Sequence, residues 1–282
     1  HYLPEGRIKG YMYQLLKSMD HMHRNGIFHR DIKPENILIT DEELKLADFG
    51  SCRGIYSKQP YTEYISTRWY RAPECLLTDG FYNYKMDMWG VGCVFFEVLS
   101  LYPLFPGTNE LDQVTKIHNI LGTPPAETLA KLKKHSNSHI DFNFPHKEGT
   151  PLHKLIPHCS ADCVELITKL LAYDPDDRIS ARQAVKHAYF RDFREADKRA
   201  AAQQTAQGGG GLCASSSMSA SGEETSEPQQ APGKRKEKES DKGMLPSIPR
   251  VGADGQSGAG CSETGSLASS SHQPTAEGGG HG

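Results

Sequence analysis

Residues 27–36 read Ile27-Phe28-His29-Arg30-Asp31-Ile32-Lys33-Pro34-Glu35-Asn36. One short loop thus carries a carboxylate, an ammonium and a carboxamide at fixed spacing, just ahead of an apolar run. Phosphoryl transfer needs that set. Its transition state spreads negative charge, so a cation and metal-holding oxygens must converge on it while an acceptor holds the incoming hydroxyl. Lys33 and Asn36 can supply the first two and Asp31 the third. Twelve residues after Asn36 comes Asp48-Phe49-Gly50, where a second hard oxygen could meet Asn36 across a hairpin. Mg²⁺ prefers oxygen ligands and usually takes only one or two from protein. Gly50 would allow backbone angles that a side chain forbids.

Upstream of the loop, Pro4 suits a first helical turn. Ile8, Met12, Leu15, Met19 and Met22 then recur at helical spacing until Gly26 supplies a stop. Downstream, Ile37 to Ile39 and Leu44 to Leu46 flank a polar turn and predict a small hairpin. Tyr84 to Leu101 is apolar nearly all round, which predicts a helix buried at the domain centre. Asp87 in that helix is costly to bury unless it accepts hydrogen bonds. Further helical patterns fall near Leu111 to Leu121, Thr128 to Lys134, Ala161 to Leu171 and Ser180 to Ala188. The fold class is mainly α, a helical bundle around one buried helix with a small β-hairpin.

His29-Arg30-Asp31 with Lys33 and Asn36, then Asp48-Phe49-Gly50, then Ala72-Pro73-Glu74, resembles the eukaryotic protein-kinase signature set in order. The resemblance covers residues 1–193 and implies the C-terminal lobe of that fold. It implies that Asp31 receives the substrate hydroxyl proton, that Lys33 stabilises the γ-phosphate of ATP, and that Asn36 and Asp48 hold Mg²⁺. Thr67 resembles the family threonine that bonds Asp31 and Lys33 in Ser/Thr-specific members. Leu38 resembles an adenine-facing residue. Thr62-Glu63-Tyr64 resembles the dual phosphorylation motif of mitogen-activated kinases, with Arg30 and Arg53 placed to pair with phosphorylated Thr62, and Arg68 and Arg71 with phosphorylated Tyr64. Asp87 and the pair Glu74–Arg178 take structural roles. Phe105-Pro106-Gly107-Thr108 and the insertion through Leu121-Gly122-Thr123-Pro124 resemble the group of cyclin-dependent and mitogen-activated kinases. That likeness implies Ser/Thr-Pro targets in protein substrates. An upstream activating kinase or autophosphorylation, and a chaperone, are the other partners implied.

Composition bounds the rest. The 282 residues carry a formal net charge of −3, so no global field draws the chain to nucleic acid or anionic membrane. The most apolar run, Val91 to Phe96, falls well short of the ~18 residues that span a bilayer. Seven cysteines, odd in number and scattered, are unlike a disulfide framework and suggest a reducing interior. Cytoplasmic residence is expected, with nuclear or ciliary residence resting on the resemblance. The run Lys234-Arg235-Lys236-Glu237-Lys238-Glu239 reads as a solvated charge run, with a nuclear signal as the alternative. His135 and His139 share a helical face, but ligands at zinc spacing do not accompany them. From residue 194 the sequence turns to Gly, Ser, Glu, Gln and Pro, too poor in apolar surface to order, and a disordered tail over 194–282 is expected.

The family pattern also places a Gly-rich phosphate loop, a strand lysine and a partner glutamate ahead of the catalytic loop. Only 28 residues precede His29, and the chain starts at His1 rather than Met. A fragment with impaired ATP binding is therefore expected. Its intact motifs speak for an active parent rather than a decayed one. The alternative is a non-catalytic module that binds substrates or activators.

Overall fold

The computed structural model describes residues 3–62, 67–136 and 140–208. The chain opens on α1 (Glu5–Arg24) and passes through a two-residue strand, β1 (Ile27–Phe28), into the 27–36 loop. The hairpin β2 (Ile37–Thr40) and β3 (Glu43–Leu46) follows, and then β4 (Arg53–Gly54). Eight more helices complete the described residues: α2 (Pro73–Leu77), α3 (Lys85–Ser100), α4 (Glu110–Leu121), α5 (Ala126–Lys133), α6 (Leu152–Leu155), α7 (Ala161–Leu170), α8 (Ala181–Val185) and α9 (Arg191–Gly208). No helix among the described residues is long and apolar enough to cross a membrane.

The periodicity of α1 buries Ile8, Met12, Leu15 and Met19. The helix ends where Gly26 turns to φ +74. The hairpin forms as its two apolar runs require, in antiparallel register with Ile37 opposite Leu46 and Thr40 opposite Glu43. A second small ladder pairs Ile27 with Gly54 and Phe28 with Arg53. It joins residues 27 and 25 apart over two positions, too short for any alternation to announce it.

Helix α3 buries Met86 through Phe96 almost without a break and is the axis of the core. Two glycines let neighbours approach its backbone. A Cβ at Gly90 would stand 2.9 Å from the Ile32 Cβ and 3.0 Å from the Ile32 carbonyl, and one at Gly92 would stand 2.8 Å from Leu171. The 27–36 loop therefore rests directly on the central helix. The chain around α3 is capped by local chemistry. Asn109 accepts from the Asp112 amide at the start of α4, and Ser180 with Gln183 forms a reciprocal capping box at α8.

Far from the loop, Arg178 holds Glu74 through two parallel bonds of 2.6 and 2.9 Å, and donates as well to the carbonyls of Ala172, Lys85 and Tyr173. Both side chains are sealed from solvent. The structure brings these two residues together, and the satisfied fork explains how two charges tolerate burial.

Helix α9 runs through the boundary expected after Phe193, as far as Gly208. Lys9 reaches Asp192 at 2.7 Å, while Lys17 and the Tyr13 hydroxyl meet Asp197 at 3.0 and 2.9 Å. These anchors, with an Ala- and Gln-rich run of good helix formers, order residues 194–208 where composition alone suggested a tail. The expectations for 209–282 lie outside the described residues.

Two predictions follow from the core. Glu74→Gln leaves the Arg178 charge buried without its counter-ion, and should cost about 3–5 kcal/mol in urea unfolding against a Glu165→Gln surface control. His118 is buried against Phe144 and Tyr173, and burial pushes its pKa down to about 4. Below pH ~6.5 the unfolded imidazole therefore binds a proton that the folded one refuses. Stability should fall by up to about 1.4 kcal/mol per unit as pH drops from ~6.5 toward 4. The same titration on His118→Asn should lack that component.

Candidate functional site

The site is built from the inside of α3 outward. The Asp87 carboxylate lies sealed in the first turn of that helix and accepts three hydrogen bonds. They come from the His29 amide at 2.9 Å, the Arg30 amide at 2.8 Å and the His23 ring at 2.9 Å. Burial of this aspartate is thus met by hydrogen bonds, two of them from the loop backbone. They hold Arg30 at φ +71, a left-handed conformation that residues other than glycine rarely adopt. His29 is fixed in one tautomer. Its Nε2 lies 3.0 Å from the Ala47 carbonyl, which can only accept, and its Nδ1 accepts from the Asp31 amide at 3.3 Å.

Those constraints present Asp31. Its Oδ2 meets the Lys33 ammonium at 2.8 Å and the Asn36 amide nitrogen at 3.0 Å, and Asn36 also donates to the Asp31 carbonyl at 2.8 Å. Asp31 and Asn36 are buried while Lys33 is half-buried. A carboxylate oxygen held between an ammonium and an amide is an oriented acceptor, so the cluster can position a hydroxyl by hydrogen bonding.

The hairpin carries the second acid to the same place. The Ala47 amide donates to the Asn36 carbonyl at 2.9 Å, extending the β2–β3 ladder by one bond. Asp48 follows immediately, exposed, at φ +60 and ψ +73, with its Oδ1 accepting from the Gly50 amide at 3.3 Å. One expectation is corrected here. The left-handed residue of this segment is Asp48, and Gly50 lies outside that region. A Cβ on Gly50 would instead press on the Asp48 carboxylate at 3.2 Å, so the glycine makes room for the acid rather than bending the chain.

Asn36 spends its amide nitrogen on Asp31, which leaves its carboxamide oxygen as a hard donor, and Asp48 adds a carboxylate one residue beyond the Ala47 amide that bonds the Asn36 carbonyl. Two protein oxygens of this kind fit Mg²⁺, which takes its remaining ligands from phosphate and water. Three apolar side chains of this region are exposed, Leu38 at 53 %, Ile39 at 49 % and Phe49 at 56 %, with Leu38 and Ile39 on opposite faces of β2.

The remaining expected residues are distributed as follows. Arg30 is buried and donates through Nε to the Ser51 carbonyl and through Nη1 to the Tyr82 hydroxyl. Arg53 stands exposed on β4 opposite Phe28. Arg68 donates to the Thr108 carbonyl at 3.2 Å, and Arg71 meets Glu110 at 3.1 Å. Thr62 offers its carbonyl to Tyr82, and Thr67 is exposed at the start of a 3-10 turn over Arg68–Tyr70. Tyr64 lies outside the described residues, as does His139. His135 stacks on Phe81 at 4.8 Å.

Sequence reasoning missed two residues, His23 and Tyr82. His23 stands six positions before His29, at the end of α1, and only the fold brings it to Asp87. Tyr82 sits in an irregular segment with no periodic signal. Replacing Asp87 by Asn removes the charge that three donors share, and should cost about 2–4 kcal/mol in urea unfolding. The loss should be accompanied by faster amide exchange at His29 and Arg30.

Comparison with known proteins agrees with this geometry. The family described as "protein kinase domain" matches residues 1–190. The chain is 61 % identical over 198 residues to human "MAPK/MAK/MRK overlapping kinase", covering 70 % of this chain and 47 % of that protein. The mouse protein of the same name is 60 % identical over 202 residues, covering 72 % and 48 %. Rat "Serine/threonine-protein kinase MAK" is 44 % identical over 189 residues, covering 67 % and 30 %. The chain spans about half the length of the first two relatives. With its signature residues gathered on one loop and hairpin, and matched over most of its described length, the chain belongs to the protein kinase family.

Proposed function

We propose that this chain carries the catalytic loop and metal-holding segment of a serine/threonine protein kinase acting on Ser/Thr-Pro sites. The observation that carries the reading is the convergence of Lys33 and Asn36 on one oxygen of Asp31, with Asp48 delivered alongside by the hairpin. In this reading Asp31 orients the substrate hydroxyl and accepts its proton, and Lys33 offsets charge developing on the transferred group. Asn36 and Asp48 would hold Mg²⁺ through oxygen, and Leu38 would face the adenine. ATP supplies the phosphoryl group when bound. Thr67 would bond Asp31 and Lys33 and favour aliphatic hydroxyls.

Regulation belongs to the same proposal. Phosphates on Thr62 and Tyr64 would order the loop through Arg30 with Arg53 and through Arg68 with Arg71, placed by an upstream kinase or by autophosphorylation. Cytoplasmic residence rests on the scattered cysteines, while nuclear or ciliary residence and chaperone assistance rest on the resemblance.

A second reading is favoured by one observation, the exposure of the apolar side chains Leu38, Ile39 and Phe49. In it the chain is a binding module that does not turn over. Radiolabelled ATP and a Ser-Pro peptide separate the two. For the enzyme, Asp31→Asn and Asp48→Asn should each lower label transfer by roughly 10²–10⁴-fold. Equal incorporation by all three proteins would reject the residue roles. No incorporation and no Mg-ATP heat in calorimetry, with peptide binding retained, would leave the module.

A further inference from the structure

Tyr82, on the segment between α2 and α3, is 3 % exposed and carries a hydroxyl used in both directions. It accepts from Arg30 Nη1 at 3.0 Å and donates to the Thr62 carbonyl at 2.7 Å. One phenol therefore joins the arginine beside Asp31 to the backbone of a residue 32 positions downstream of that arginine. The contact is part of a wider dock. The Tyr61 amide donates to the Gly80 carbonyl at 2.8 Å, and Gln59 Nε2 donates to the Tyr82 carbonyl at 2.5 Å. The Tyr61 ring meets those of Phe28 and Tyr82 with centroids 5.5 and 5.2 Å away. Gly80 sits at φ +81, and a Cβ there would lie 2.2 Å from the Tyr61 carbonyl oxygen. The two backbones touch only because residue 80 has no side chain.

The chemistry of the relay is unequal at its two ends. Arg30 donates through Nε to the Ser51 carbonyl, which aims its guanidinium between the segment after Gly50 and the segment at Thr62. A hydroxyl that accepts from a cation becomes a better donor, so the Arg30 bond strengthens the grip on Thr62. A neutral phenol is nevertheless a weak partner for guanidinium beside a phosphate dianion, which accepts charge-assisted bonds in pairs. A phosphate on the Thr62 side chain would belong to the very residue whose carbonyl Tyr82 holds, one hydroxyl away from Arg30.

We propose that Tyr82 is a positioning residue that holds Arg30 and the Thr62 backbone together in the unmodified chain, and that yields the Arg30 Nη1 bond when Thr62 carries phosphate. The inference rests on the reading in which Thr62 is phosphorylated and pairs with Arg30, and it adds the group that fills the arginine beforehand. Tyr82 couples the dock of residues 59–62 to the charge state of Thr62.

The test is amide exchange by NMR on the full chain without nucleotide, read at Tyr61, whose N–H donates to Gly80. Tyr82→Phe removes the hydroxyl and keeps the ring. It should speed Tyr61 exchange by about tenfold or more in the unmodified chain, the scale of a lost hydrogen bond to a charged group. In chain made with phosphothreonine at position 62, the same substitution should change Tyr61 exchange by less than about twofold. Gly80→Ala, which disrupts the dock by contact, should speed exchange in both forms and calibrates full undocking. Unaltered exchange in unmodified Tyr82→Phe overturns the relay. Equal acceleration in both forms overturns the exchange of partners and leaves Tyr82 a static brace. Because the readout uses no ATP, it separates from the Asp31 and Asp48 assays: loss of those residue roles leaves the exchange pattern standing, and the reverse holds too.

Discussion

The buried carboxylate of Asp87 is the constraint on which the rest of the site depends. A charge sealed in the first turn of a central helix must be met by donors, and three converge on it, two of them from the backbone at His29 and Arg30. Meeting that demand fixes the loop in a conformation it would not choose alone, with Arg30 in left-handed space. From that point the geometry propagates outward. Arg30 is aimed, His29 is locked to Ala47, and Asp31 is turned toward Lys33 and Asn36. Helix α3 contributes the close approach that makes this possible, because Gly90 admits Ile32 where any larger residue would push the loop away.

Two layers of polar burial divide the work. The Glu74–Arg178 fork and its carbonyl partners tie the entry of α2 to the segment before α8, away from any chemistry. The Asp87 node ties the core to the loop. Between them runs the segment 78–84, and Tyr82 on that segment reaches back to Arg30. The backbone at Thr62 and the 27–36 loop are therefore joined through one phenol, which accepts from Arg30 and donates to the Thr62 carbonyl.

The family match and the site geometry fall on the same stretch of chain. The matched region ends at residue 190, near the start of α9. Helix α9 nevertheless packs on α1 through Asp192 and Asp197, and Phe193 lies against Gly10. The structured part of the chain thus extends beyond what the family pattern describes.

Much was legible in the sequence where the signal is local. Periodicity gave α1, α3 and the hairpin, and the spacing from Asp31 to Asn36 and on to Asp48 marked out candidate acids and a candidate cation, because residue type and separation along a short loop limit what can converge. The burial of Asp87 was also legible, since an acid in an apolar helix demands donors. Tertiary structure alone decided who those donors are, that His23 joins them across 64 residues, and that Tyr82 bridges Arg30 to Thr62. It alone assigned the left-handed backbone to Asp48 rather than Gly50, and ordered residues 194–208 by ion pairs to α1. Those outcomes depend on contacts between segments distant in the chain, whose energies arise only after packing has brought them together and removed the water between them.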